Sequence, residues 1–510
     1  MKTTHLLRGT AAFVLAASAA AQAPNFYQLP STATPMDVTT AGGTTLVAGA
    51  DGSNAFLWTP AGGTVTIGAI ASGSNVRLST DGQTVVADTV GLDGIKRASY
   101  WRVSTGWVQI PGLGGSSGGT ETSVYNVDAD GTVIVGLGWV VGGGGHAFRH
   151  DTTTGITTDL TPPFSSPSSR ANDVDGSGSF VVGWHDTASG SRWGARWLNG
   201  VKTYFTYVDP SNVSYNVGEA LAANRLGTVV VGYNVFGLAG MGWRWDSATN
   251  AITLLPNLTG QTGTPLPGDV TDDGTMVVGS NGGAPFGRLS ILWLEGQPPQ
   301  SLFTYYQNLG ANFGLFTDLG TPTAISRDGR VVVGRGSGAA FSQPLGWVIE
   351  LPQAGTPFCA GDGIATDHTT PCPCANNGGL GRGCANSANA QGAKLATTGF
   401  VTTDDVVLGG SGMPATVACI YLQGDALADT TFGDGVRCAG GTLLRLRTKI
   451  NVGGASSFPD SVETITLSQR GGVAPGAGVR RYYQAYYRNA AAAFCPPETY
   501  NVSNGVYIDW

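Results

Sequence analysis

AISRDGRVVVGRGSGAAFSQPLGWVIEL, residues 324–351, decides how the rest of the chain is read. It divides into a short strand, an Asp-Gly turn, a β-branched strand ending on glycine, a glycine-rich loop and a third strand centred on Trp347. β-Branched runs bounded by such turns read as strands, and Asp-Gly supplies the positive φ that a tight hairpin needs. The same glycine-ended strand recurs at Gly49, Gly136, Gly183, Gly232, Gly279 and Gly334, with Val86-Ala87-Asp88 as a degenerate second copy and spacings of 39 to 55 residues. Seven units of that length, each with three or four short strands, predict a seven-bladed β-propeller.

Each copy carries an aromatic ring in its third strand: Trp58, Trp101, His150 beside Phe148, Trp197, Trp245, Trp293 and Trp347. Equivalent rings at a repeated position predict packing between blades. A fourth strand follows in the middle copies, over residues 64–67, 107–110, 156–160, 201–205 and 251–255, whereas Pro352 ends the last copy early. Residues 25–30, Asn-Phe-Tyr-Gln-Leu-Pro, read as a fourth strand with no blade of its own. They are expected to pair with residues 347–351, which closes the ring and covers an edge open to aggregation.

Glycine numbers 79 of 510 residues, and charged residues are 12%, about half the usual ~25%. With 41% hydrophobic residues, the chain is turn-dense and all-β. Lys2 and Arg8, an apolar run at 11–17 and Ala19-Ala20-Ala21 have the layout of a secretory signal peptide spanning residues 1–21. No later segment approaches the ~20 apolar residues of a membrane-spanning helix, so the expected address is extracellular or cell-surface. All seven cysteines lie beyond residue 358. That asymmetry divides the mature chain into a propeller at 22–351, a linker at 352–357 and a Cys-rich β-sandwich module at 358–510. The net charge is −7 and the propeller region holds no lysine or arginine cluster, which argues against nucleic acid as its partner.

In a four-stranded meander the first and third turns emerge on one face, and the second turn and blade connection on the other. The first and third turns here are short, so loop variation is confined to the second face. It collects Trp139, Trp184, His185, Arg192, Trp193, Tyr233, Phe236, Arg288, Tyr305 and Tyr306 as candidate ligand-binding residues, and Phe286, Arg335 and Phe341 fall on the same face. Aromatic rings among polar groups suit stacking on sugars or docking a protein; the competing reading is that they cap the ring and pack on one another. The four histidines outside the signal peptide sit in no HExxH or GxSxG context, so no catalytic residue, metal ligand or cofactor is assigned. Asn126-Val127-Asp128-Ala129-Asp130-Gly131 imitates half a calcium loop but lacks the distal glutamate, and reads as a hairpin turn.

The third copy contains His146-Ala147-Phe148-Arg149, and over residues 36–351 the repeat resembles the HAF repeats of bacterial extracellular proteins. That resemblance implies an exported repeat protein and transfers no catalytic residue. The C-terminal stretches Phe358-Cys359-Ala360-Gly361-Asp362-Gly363, Cys372-Pro373-Cys374-Ala375-Asn376-Asn377-Gly378 and Phe432-Gly433-Asp434-Gly435-Val436-Arg437-Cys438 look like a module shared by exported proteins of environmental bacteria. The likeness implies an anchoring, sorting or surface-retention role. Cys419 departs from that module's pattern and is expected to be a buried free thiol. The remaining six, Cys359, Cys372, Cys374, Cys384, Cys438 and Cys495, form three disulfides, with Cys438–Cys495 favoured and the first four pairing locally; a zinc site among them is the rival, but CxxC knuckles are missing. The functional expectation is a non-enzymatic binding or adhesion scaffold for a surface glycan or protein. A carbohydrate-active lyase or hydrolase and a purely structural envelope component are the alternatives.

Overall fold

The computed structural model describes residues 23–510 apart from 41–43, 164–165, 237, 283–287, 339, 352–353, 364, 366, 380, 402–403 and 492. The signal-peptide stretch, the start of the linker and Phe286 therefore lie outside the described residues. The chain forms two compact units, with Ala23–Leu351 as one and Pro352–Trp510 within the other.

The first unit is a seven-bladed β-propeller of four-stranded antiparallel sheets. The fourth blade is typical, with strands Ser169–Val174, Phe180–Asp186, Arg192–Leu198 and Val201–Tyr204 paired in chain order. The seventh blade has Asp318–Ile325, Val331–Ser337 and Leu345–Glu350, and its outer strand is Asn25–Gln28 from the other end of the propeller. Phe26 pairs with Ile349 and Gln28 with Trp347. Leu29 extends the clasp into the core, its N–H donating to Gly346 O at 2.9 Å.

The repeated glycine is corrected from the end to the interior of each second strand, as Gly334 is in Val331–Ser337, where a Cβ would meet a backbone carbonyl oxygen in all six blades that carry it and a facing ring in four. Phe56 pairs with Gly49, Phe148 with Gly136, Trp243 with Gly232 and Trp347 with Gly334. In each pair the ring lies over the glycine and occupies the space a Cβ would need. Trp58, Trp101, His150, Trp197, Trp245 and Trp293 instead pair two residues earlier on the second strand, with Val47, Val85, Ile134, Val181, Val230 and Val277. The third strand thus has two aromatic positions on one side, and Trp347 holds the other one. Its equivalence with Trp58 is corrected accordingly: the sequence aligns rings by spacing, whereas backbone pairing separates them.

Carboxylates hook neighbouring blades together around the central channel. Asp37, Asp173 and Asp269 each follow a β-bulge in an inner strand. Each accepts the N–H of its own next residue and, through Oδ2, an N–H of the adjoining blade: Leu78 at 2.9 Å, Ala223 at 2.7 Å and Ile325 at 2.9 Å. Arg327 stands among them. Burial works against its charge, but Asp269, Asp173 and Asp37 outweigh it and hold its pKa above the usual guanidinium value. Burial also pushes the Asp173 carboxyl up to about 6.

One connection on the variable face is helical. Ser301 accepts the Thr304 N–H and caps a helix at Leu302–Asn308, as side-chain oxygens do at helix starts.

The second unit is a β-sandwich-like domain. A sheet with the path Thr356–Phe358, Gly505–Asp509, Arg480–Arg488, Ala418–Gly424 and Leu444–Ile450 shares one core with the three-stranded sheet of Lys394–Thr398, Val407–Ser411 and Ser456–Phe458. Leu408, Tyr421, Phe458, Tyr483, Tyr487 and Trp510 fill that core. The disulfides are Cys359–Cys438, Cys372–Cys384 and Cys374–Cys495. Cys438–Cys495 is thereby corrected, and only one bridge among the first four cysteines is local. Cys359 follows the edge strand Thr356–Phe358 and packs in one small cluster with Val436 and Cys438, while the turn at Pro373–Ala375 carries Cys374 to Cys495. Cys419 is free and buried. Three disulfides fit a secreted or periplasmic protein.

Candidate functional site

The variable face gathers its side chains in two places. The first spans the fourth and fifth blades. Arg170, at the start of an inner strand, forms an ion pair with buried Glu219, donates from Nε to Asn172 Oδ1 at 2.6 Å and from Nη1 to Tyr125 Oη at 3.2 Å. Asn172 donates in turn to Glu219 Oε1 at 2.8 Å and to Ala220 O at 2.7 Å. Trp184 lies between two guanidinium groups, with Arg192 3.5 Å and Arg170 5.5 Å from its ring centroid. Such pairs draw the cation to the negative ring face. Tyr233 closes the group, its phenol held above the ordinary value by burial and by Glu219.

Trp184 is buried, with Arg192 stacked on it and paired with Asp186 at 3.4 Å. The surface it offers is therefore guanidinium, and the expected open indole platform is corrected. His185 points elsewhere, because side chains alternate along a strand. It is buried: Lys202 Nζ lies 3.0 Å from Nε2 and Tyr204 Oη 2.7 Å from Nδ1. An ammonium group can only donate, so Nε2 accepts and Nδ1–H donates to Tyr204. Burial, then Lys202, push the imidazole down to about 4, which leaves it neutral at pH 7. With both nitrogens engaged, His185 leaves the ligand-facing set. Trp193 is half-buried and meets Tyr204 edge-on at 5.4 Å.

No ring contact among the described residues joins Trp139 or Phe236 to this group; Trp139 is half-buried and Phe236 is 39% exposed. Tyr305 and Tyr306 lie in the capped helix, where Tyr306 is fully buried. Helix formation turns one ring inward, so Tyr306 is corrected to a core residue. Tyr305 packs on it edge-on at 5.1 Å and remains half-buried.

The second place is a cleft of about 440 Å³ between the sixth and seventh blades, lined by Arg288, Leu289, Asp318, Gly320, Thr321, Thr323, Arg335, Ser337 and Pro344. Its volume falls within the range of small-ligand pockets. Asp318 accepts the Gly320 N–H, and burial lifts its carboxyl to about 6. Arg335 donates from Nη2 to Pro344 O at 2.9 Å. Of these residues only Arg288 belongs to the candidate set from sequence. Arg170 and Glu219 are absent from the candidate set of the first group because aromatic residues of the second turns and blade connections carry that reading, whereas these two charged residues sit at the entry to inner strands. Among the described residues, no three His, Cys, Asp or Glu side chains are placed to hold a metal ion, and no helix is long and apolar enough to cross a membrane.

No family model matches the sequence, and no curated protein matches it. Solved structures similar to the chain include TolB from Acinetobacter baumannii, 13% identical over 52% of this chain and 52% of that one with a TM-score of 0.30. The β-propeller domain of the Trilobed protease from Pyrococcus furiosus is 12% identical over 62% of this chain and 95% of its own, with a TM-score of 0.39. Oligogalacturonate lyase from Vibrio parahaemolyticus is 12% identical over 66% of this chain and 99% of its own, with a TM-score of 0.42. The chain thus spans about half the length of the first of these proteins, and the propeller assignment rests on its own seven sheets.

Proposed function

We propose that the protein is an exported, non-enzymatic binding scaffold whose variable face receives a glycan at the cell surface. One observation carries this reading: Arg170, Arg192, Trp184, Glu219 and Tyr233 from two blades converge on that face. The group offers fork-shaped donors beside the Tyr233 phenol, groups that hydrogen-bond and stack on sugars, while Trp193 packs with Tyr204 on the other side of the sheet. The relation of the repeat to HAF units, through His146-Ala147-Phe148, belongs to this proposal, as does surface retention by residues 358–510. A glycan array with the mature protein tests it. The expected outcome is capture of a defined glycan class, reduced at least fivefold in Arg192→Ala and Tyr233→Ala, with no release of reducing ends. A blank array removes the glycan reading, and release of reducing ends replaces it with a carbohydrate-active enzyme.

A further inference from the structure

The cleft between the sixth and seventh blades differs in chemistry from the group around Trp184. There, Arg170 and Arg192 each have a carboxylate partner, Glu219 and Asp186. Arg335 forms no ion pair among the described residues: its Nη2 donates to a carbonyl, and its Nε is buried without a hydrogen-bond partner. A guanidinium group without an ion pair among the described residues, on the wall of a cleft of about 440 Å³, can receive an anion through the N–H groups not used on Pro344. Arg288 lines the same space and adds positive charge, on a protein whose net charge is −7. The remaining lining is suited to a polyol. Thr321 and Asp318 offer a hydroxyl and a carboxyl for hydrogen bonds, and Leu289 and Pro344 supply apolar wall.

We propose that this cleft binds a sugar acid, its carboxylate on the guanidinium of Arg335 and its hydroxyl groups on Thr321 and Asp318. A planar carboxylate matches the guanidinium fork in two parallel hydrogen bonds, which a neutral ester or alcohol cannot reproduce. Asp318 sets an upper limit on affinity, because its own negative charge opposes the incoming one; it earns its place by accepting from a ring hydroxyl. The choice of a sugar acid over another carboxylate rests on the glycan reading of the same face, while the carboxylate site itself does not.

Calorimetric or saturation-transfer titration of the mature protein with glucuronate, its methyl ester and glucose at pH 7 tests the proposal. Glucuronate should bind at least tenfold more tightly than either neutral sugar. Arg335→Gln should lose at least tenfold in glucuronate affinity, Arg335→Lys about threefold, and Asp318→Asn should lose less or gain. Arg225→Gln, at a turn on the opposite face, should leave affinity unchanged. Equal binding of acid and ester by the unmodified protein overturns the proposal even where Arg335→Gln fails to fold, and so does undiminished binding by a folded Arg335→Gln. Array capture that depends on Arg192 and Tyr233, together with glucuronate binding undiminished in Arg335→Gln, removes the cleft and leaves the receptor reading intact. A blank array with Arg335-dependent glucuronate binding does the reverse.

Discussion

Trp347 lies across the seventh blade from Gly334, and a Cβ built on that glycine would stand 2.6 Å from Cζ2 of the indole. The same relationship holds between Phe148 and Gly136, at 2.8 Å from Cε1 of the phenyl ring. Gly334→Ala and Gly136→Ala should therefore each cost about 1–3 kcal/mol through overpacking. Urea denaturation followed by tryptophan fluorescence checks this; a loss within error would mean that the ring and the facing backbone, Thr321 O at 2.5 Å from a Cβ on Gly334 and Ser123 O closer still to one on Gly136, can both move away.

The clasp strand should contribute more than a terminus that frays. Leu29 is buried, Phe26 meets Phe313 and Phe316 edge-on at 5.2 and 5.1 Å, and Tyr27 meets Trp58 at 5.2 Å. Leu29→Ala is expected to cost about 2–5 kcal/mol. Deleting residues 24–30 should lower the melting temperature of the whole propeller in one transition, measured by calorimetry.

Asp128 shares its turn with Asp130; in three other blades the same position is Ser79, Thr271 or Ser326, whose hydroxyls donate to Asp81, Asp273 and Asp328 at 2.6 Å, while Asp175 and Asn224 hold it in the fourth and fifth blades. Burial first, and then the Asp130 charge, push the Asp128 carboxyl up to about 6, and its Oδ1 has no partner. A raised carboxyl pKa means that the folded state holds the proton more tightly than the unfolded one. Its contribution to stability is fully present below about pH 4 and is lost as pH rises through about 6. Asp128→Ser should thus stabilise the propeller by about 1–2 kcal/mol at pH 7, with the gain vanishing near pH 4. Denaturation midpoints at the two pH values read this directly.

The disulfides should differ in weight. Cys374–Cys495 spans 121 residues and Cys372–Cys384 only 12. By loop-closure entropy they contribute about 5 and about 3 kcal/mol. The paired replacements Cys374→Ala with Cys495→Ala, and Cys372→Ala with Cys384→Ala, are expected to rank in that order by chemical denaturation.

Arg192→Ala should uncover Trp184. The expected readout is red-shifted emission and stronger acrylamide quenching, with stability reduced by about 0.5–1 kcal/mol.

Blade number, turn chemistry and the borrowed outer strand are legible in the sequence, because each follows from local pattern: Asp-Gly turns, β-branched runs reaching a recurrent glycine, and a segment at residues 25–28 with nothing of its own to pair with. The inner-strand hooks were equally visible as Met36-Asp37-Val38, Asn172-Asp173-Val174 and Gly268-Asp269-Val270, but only pairing shows their Oδ2 atoms reaching the next blade. The offset of Trp347 depends on register, which spacing does not set. Cys359–Cys438 depends on a contact between segments 79 residues apart. The site was legible as a face and not as contacts. Trp184 and His185 are sequence neighbours with opposite surroundings, and the cover on Trp184 comes from Arg192 in the adjacent strand.

The pairing of Phe26 with Ile349 also fixes an order of events. These two positions lie at opposite ends of the propeller, so every blade must be made before the first strand has a partner. Closing so long a loop is slow, and until it happens the third strand of the seventh blade exposes its unpaired edge. The strand made first therefore waits longest for its partner, and the ring is complete only once the seventh blade has formed.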